Sequence, residues 1–215
     1  TFQKLMSTIL IISDVHGRKF WRKALDAIDQ VDKVVFLGDY LDPYDVSEEE
    51  CLIEFKEIVE FKLKYPDKVI LLIGNHDCEY IWPTLFSRTC RHCYSIEKEA
   101  QELFAKVPLT LVYEEGRYLF SHAGVLQGWL TDTDLTLDNL KDVALNPECL
   151  SRIGWMRGGY SQHPSCVWCD VREFKSELPY YQIFGHTQLI KEYITDKFSC
   201  LDARECFLLK DDEIH

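Results

Sequence analysis

Four of the chain's seven histidines stand just beyond apolar runs. "TILIISDVHG" ends in Asp14 and His16, and "KVVFLGDYLD" ends in Asp39 and Asp42. "KVILLIGNHD" ends in Asn75, His76 and Asp77, "YLFSHAG" carries His122, and "YYQIFGHT" carries His186. Imidazole, carboxylate and amide oxygen are metal-ligand chemistry, and a mixed N/O set suits Mn, Fe, Zn or Co better than Ca or Mg. A lone Asp or His after a strand is ordinarily a turn former or a satisfied polar group. Five apolar runs ending alike make that reading poor and imply one shared site. His92, His163 and His215 read as surface or structural residues.

The elements that must carry these groups follow from hydrophobic periodicity. Strand-like runs cover 8–13, 33–37, 68–73, 109–113, 118–121, 181–184, 190–195, 198–202 and 206–210. The clearest helix covers 48–64. It opens on a Ser47/Glu50 capping-box pattern, continues through Leu52, Phe55, Ile58, Val59 and Leu63 at helical spacing, and ends at Tyr65-Pro66. Further helices are expected over 18–28, 96–106, 136–145 and 147–155. The first third alternates strand and helix, which predicts a parallel sheet. The last third has short strands with almost no helix between them, which predicts antiparallel pairs. Two sheets packed together with helices outside accommodate both halves. In open α/β sheets ligands gather at the carboxyl ends of strands, where the loops converge. Glycines at 38, 74 and 185 allow sharp turns and close backbone approach there.

Composition bounds the rest. The chain has 215 residues, 47% hydrophobic, enough for one domain over 1–215 with a substantial core. Met6 reads as a natural start, with Thr1 to Leu5 ahead of it. A net charge of -12 is the wrong sign for an extended nucleic-acid surface or an anionic membrane, and fits a cation-binding protein. No apolar run is long enough to span a membrane, and no basic segment precedes a long apolar stretch at the N-terminus. A cytoplasmic setting with reduced thiols is therefore expected for the nine cysteines. Cys90/Cys93 and Cys166/Cys169 have metal-like spacing. Structural zinc across both pairs would have to close a long loop, so ordinary thiols are the preferred reading.

The motifs "SDVHG", "LGDYLD", "GNHD", "SHAG" and "FGHT", in this order from Ser13 to Thr187, resemble the calcineurin-like metallophosphoesterases. The resemblance implies a four-layer α/β/β/α sandwich of two mixed sheets flanked by helices, with two divalent transition metal ions. Carried over residue by residue, it implies a first metal on Asp14, His16 and Asp39. It implies a second on Asp39, Asn75, His122 and His186, with Asp39 bridging. A water shared by two such ions ionises near neutral pH and attacks phosphorus in line with the leaving group. His76 then resembles the general acid that protonates the leaving alkoxide, and Asp42 the carboxylate that orients it and raises its pKa. Asp77 is the competing partner for His76.

Within that superfamily, "FGHTQ" and "FSHAG" look closest to the serine/threonine phosphoprotein phosphatase and diadenosine tetraphosphatase branch. Diesterase branches usually carry a second histidine where this chain has Gln188. The expected substrate is a phosphomonoester or small nucleotide phosphoanhydride, either a small molecule or a phosphoprotein. A phosphodiesterase of cyclic nucleotides or oligonucleotides is the alternative, and a non-catalytic metal-bound scaffold ranks below it. The branch normally has Arg after its second Asp, where this chain has Pro43 and Tyr44. Arg157, Arg18 and Arg172 are the candidate replacements, because a planar guanidinium can grip two phosphate oxygens. Arg157 ranks first, because Gly158 and Gly159 let backbone approach a ligand. Tyr44 and Trp168 could stack on a base.

Overall fold

The computed structural model of the chain describes residues 7–86, 91–143 and 145–215. In chain order its elements are β1 (Ile9–Ile12), α1 (Lys23–Ala27), β2 (Lys33–Phe36), α2 (Glu48–Lys64), β3 (Val69–Leu71), α3 (Asn75–Ile81) and α4 (Glu97–Phe104). They continue through β4 (Val112–Glu115), β5 (Tyr118–Ser121), α5 (Gln127–Thr133), α6 (Leu137–Lys141), β6 (Tyr181–Phe184), β7 (Tyr193–Ile194), β8 (Phe198–Cys200), β9 (Cys206–Lys210) and β10 (Glu213–Ile214).

The strands form two mixed five-stranded sheets, ordered β10-β9-β1-β2-β3 and β4-β5-β6-β8-β7. The period-2 alternation of each strand sorts its side chains between layers. In β1, Ile9 and Ile11 enter an inner core with Val35, Leu72, Phe120, Ile183 and Leu209 from both sheets. Leu10 and Ile12 face the other way, against Trp21, Phe55 and Ile58. Leu119 of β5 likewise turns to a third core, with Trp129 and Leu140 beneath α5 and α6. Three apolar interfaces between four layers give the expected α/β/β/α sandwich.

As expected, β1, β2 and β3 are parallel. The last third does pair β7 with β8 and β9 with β10 antiparallel, but the second sheet departs from the antiparallel expectation where β5, β6 and β8 run parallel. The chain leaves β6, passes through edge strand β7 and turns back into β8, so a parallel neighbour is reached without a helical crossover. Other elements are shorter than their periodicity implies. The 18–28 helix is a 3-10 turn at Lys19–Arg22 followed by α1, and 147–155 yields only a 3-10 turn at Pro147–Ser151. The seven-residue helices α3 and α5 carry too few turns for their pattern to stand out.

Helix α2 carries the Ser47–Glu50 capping box in both directions. It also buries Glu54, whose carboxylate accepts Trp21 Nε1 at 3.0 Å and the Arg22 fork at 3.0 and 2.9 Å. This pins the turn after the first site loop to α2. Removing one partner of a buried ion pair strands the other groups, at roughly 3 kcal/mol. Glu54→Ala is accordingly expected to lower unfolding stability by about 2 kcal/mol, less than that because Arg22 reaches water. A urea midpoint unchanged from wild type would contradict this.

Candidate metal centre and active site

Loops after five strands converge on one cavity of about 230 Å³, lined by Asp14, His16, Asp39, Asn75, His76 and His186 among others. The backbone there is unusual. His16, Asp39, Asp42 and His186 all adopt positive φ, at 44°, 53°, 58° and 64°. Side chains larger than hydrogen pay for that region, so the loops must be over-determined by their contacts. They are. Val15 and His16 donate their N–H groups to Asp39 O at 3.1 and 2.8 Å. Asp77, fully buried, accepts the N–H groups of Asp39 (2.8 Å), Tyr40 (3.0 Å) and Gly74 (2.8 Å). Asp77 therefore faces the backbone, fastening the β2 loop to the start of α3, and leaves His76 to Asp42.

Two glycines sit where a side chain cannot. A Cβ on Gly74 would lie 2.1 Å from Asp39 Oδ1, and one on Gly185 would lie 2.1 Å from Asp14 Oδ1.

The histidine tautomers can be read from their carbonyl partners. His16 Nδ1 faces Leu41 O at 2.7 Å and His122 Nδ1 faces Leu37 O at 2.8 Å, so each carries its proton there. Both Nε2 lone pairs are turned inward, and each lies 3.5 Å from the same atom, Asp39 Oδ2. His122 Nε2 also lies 3.0 Å from Asn75 Oδ1 and 3.1 Å from His186 Nδ1. The His122 Nε2 lone pair facing the oxygens of Asn75 and Asp39, acceptor against acceptor, with Nε2 of His186 buried and without a hydrogen-bond partner, is what a cation site leaves behind in protein atoms alone. Among the described residues, ligand atoms of Asp39, His122 and His186 form one compact group, and those of His16, Asp39 and His76 another. Asp14 belongs to neither. Its oxygens accept His186 N at 3.2 and 3.1 Å while the residue lines the same cavity.

Electrostatics agree with the geometry. Burial pushes Asp39 up to about 8 and Asp14 well above the carboxylate range, and the charges of neighbouring aspartates push both the same way. Burial also holds His16 and His186 well below the imidazole range and His122 down to about 3, the neutral form that ligates metals. Crowded carboxylates beside neutral imidazoles are a set that divalent charge relieves. The residues present fit a metal centre.

His76 differs from the other histidines. It occupies the first turn of α3, where its backbone N–H donates to Asp39 Oδ1 at 3.0 Å. Its Nδ1 lies 2.6 Å from Asp42 Oδ2. Burial opposes its charged form, but the carboxylates of Asp39 and Asp42 outweigh this and push it up to about 9. Asp42 is fully buried and its other oxygen accepts the Tyr80 hydroxyl.

The arginines separate. Arg157 lines the cavity, donating to His186 O at 2.7 Å and facing Asp170 Oδ2 at 3.1 Å. Arg18 lines it as well. Arg172 does not. Its fork grips Asp170 at 2.7 and 2.9 Å, so it reaches the cavity only through Asp170 and Arg157. Tyr44 and Trp168 are wall residues, with Arg91 stacked on the Tyr44 ring at 4.0 Å. Sequence reasoning missed Asp202 and Arg204, which also line the cavity. Asp202 ends a strand-like run as the other site carboxylates do, and that signal was present. Cys166 and Cys169 are buried, with thiols raised by burial, while Cys90 lies outside the described residues.

Residues 7–189 match the calcineurin-like phosphoesterase family. The chain belongs to that family. It is 31% identical over 123 residues to the serine/threonine-protein phosphatase 2B catalytic subunit A2 of Saccharomyces cerevisiae, a match covering 54% of this chain and 20% of that relative. The chain thus aligns with about a fifth of the relative's length. In architecture it is similar to a cold-active protein-tyrosine phosphatase of the psychrophile Shewanella sp., with TM-score 0.63 and 15% identity over 97% of this chain and 76% of that one. It is also similar to a protein serine/threonine phosphatase from Saccharomyces cerevisiae, with TM-score 0.54 and 15% identity over 94% and 72%. At such identities these two likenesses concern the fold.

The clearance at Gly74 yields a test. Gly74→Ala drives a methyl group into Asp39 Oδ1, so manganese affinity measured by calorimetry is expected to fall at least about tenfold, as for displaced outer-shell partners. Affinity equal to wild type with an unaltered circular dichroism spectrum would contradict the reading.

Proposed function

We propose that this phosphoesterase-family chain is a metal-dependent phosphomonoester hydrolase working on a paired metal centre. Asp14, His16 and Asp39 would hold one divalent ion, and Asp39, Asn75, His122 and His186 the other. The observation that carries the reading is Asp39 Oδ2, which stands 3.5 Å from the inward lone pairs of both His16 and His122. One carboxylate oxygen serving two imidazoles is the arrangement a bridging ligand requires. Bound there, such ions supply an ionised water as nucleophile and neutralise charge on the phosphoryl oxygens. The neutral amide of Asn75 adds an oxygen donor without adding negative charge to a chain that is already at -12.

The remaining chemistry belongs to the protein. Asp42 holds Nδ1 of His76, which fixes the ring and stabilises its protonated form, so Nε2 is the atom that delivers a proton to the leaving oxygen. Arg157, anchored by His186 O and Asp170, is placed to bind phosphoryl oxygens through whichever donors it has left. A cavity of about 230 Å³ has room for a phosphoryl group and the first atoms of a leaving group. Gln188 stands on the cavity wall where diesterase branches put histidine, which favours a monoester. The sequence relative is named as a serine/threonine-protein phosphatase. That name favours monoester substrates.

Two tests follow. With manganese, the chain is expected to hydrolyse 4-nitrophenyl phosphate at least about a hundredfold faster than bis(4-nitrophenyl) phosphate; the reverse order would support a diesterase. His76→Asn is expected to keep its metals and to lose about 10²–10⁴-fold in kcat on phenyl or alkyl phosphates. On a substrate with a good leaving group, which needs no proton, the loss should be much smaller. Undiminished turnover of a poor-leaving-group ester would remove His76 from the mechanism.

A further inference from the structure

Three arginines line the cavity, and they are not equally engaged. Arg157 is bound to His186 O and Asp170. Arg18 and Arg204 instead meet at Asp45. Arg18 Nε donates to Asp45 Oδ2 at 3.2 Å, and Arg204 Nη1 stands 3.9 Å from the same oxygen. Gln188, with its amide turned so that the oxygen accepts, also receives Arg204. Arg204 holds φ at 59°, a conformation a side chain this size adopts at a cost. The Arg18 side chain is only 12% exposed, so its charge lies in the wall and not out in solvent.

The carboxylates around these arginines differ in mobility. Asp202 is buried and stands in the field of the Arg18, Arg204 and Arg157 charges. Asp45 is half-exposed, three residues beyond Asp42 on the same loop. A half-exposed carboxylate leaves an ion pair cheaply, because water replaces its partners. A leaving group that extends beyond the cavity can reach these side chains, since Arg18 and Arg204 line it and Asp45 beside them is half-exposed.

We infer that Arg18 and Arg204 form a second anion subsite at the cavity mouth, occupied by Asp45 at rest, which takes a carboxylate or phosphate group carried by the substrate's leaving side. The inference rests on the cavity being a phosphoryl site, and it makes the preferred substrate a phosphomonoester with a second anionic group. A ligand's anion replaces Asp45 on the two guanidinium groups, and Asp45 turns to solvent. No bond is made or broken in this exchange. Tyr44 lies beside it, its ring 5.5 Å from the Arg18 guanidinium and 4.0 Å from that of Arg91.

The test uses matched, non-hydrolysable ligands on the full manganese-loaded chain. Binding of 4-carboxybenzylphosphonate and its neutral twin 4-carbamoylbenzylphosphonate is measured by calorimetry, together with 1,4-xylylene bisphosphonate as the phosphate arm. Wild type is expected to bind at least one doubly anionic ligand about tenfold more tightly than the amide, the scale of a charge-assisted contact. The larger ratio names the preferred second anion. Arg204→Ala should bring the ratio close to one, and Asp45→Asn should widen it. Equal affinities in wild type, no binding of any ligand, or a ratio indifferent to Arg204→Ala and Asp45→Asn would each overturn the subsite. Hydrolysis of 4-nitrophenyl phosphate by the same wild-type sample tests the catalytic reading separately. No turnover beside an Arg204-dependent ratio would sink that reading and leave the subsite standing.

Discussion

One oxygen atom, Asp39 Oδ2, has to face two histidine lone pairs arriving from different sheets. His16 comes from the β1 loop and His122 from the end of β5, so the contact holds only if the two sheets are packed in register at their carboxyl ends. The inner core of Ile9, Ile11, Val35, Phe120 and Ile183 supplies that packing. The geometry also needs Asp39 at positive φ, and Asp77 holds it there by accepting N–H groups on both sides of the loop. The cost of the strained loops and the crowded carboxylates is thus supported by sheet packing and backbone hydrogen bonds. A divalent charge at the centre removes what is left of the repulsion.

Much of this was legible in the sequence because strand ends are loud signals. An apolar run that stops at Asp, His or Asn beside glycine is easy to see, and five such stops gave the site and the sandwich that carries it. Orientation was legible only in part. The resemblance pairs Asp42 with His76, but nothing in "GNHD" tells that Asp77 accepts the backbone N–H groups of Asp39, Tyr40 and Gly74. Arg157 ranks ahead of Arg172 and Arg18 from its flanking glycines, but nothing in the sequence tells that the Arg172 fork is held by Asp170. The parallel pairing of β6 with β8 was hidden because the crossover runs through a two-residue edge strand. Asp202 and Arg204 lie in the same tight loop after β8, where no glycine marks the strand end.

The mouth and the centre divide the work. The buried centre fixes the reaction through groups that cannot move, whereas Asp45, Arg18 and Arg204 lie where charges are partly solvated and exchangeable. On the proposed reading, selectivity would reside in residues whose replacement leaves the centre's ligands in place. Where the resemblance leads one to expect Arg after Asp42, this chain has Pro43 and Tyr44, and the cavity instead takes arginines from the β1 and β8 loops.

The central claim is that Asp39 is shared between two cations. Electron paramagnetic resonance during a manganese titration addresses it directly, because two ions joined through a common ligand give a spin-coupled signal. The account predicts two manganese ions per chain with that signal, lost in Asp39→Asn. A single uncoupled ion at saturation, or a coupled pair that survives Asp39→Asn unchanged, would contradict it.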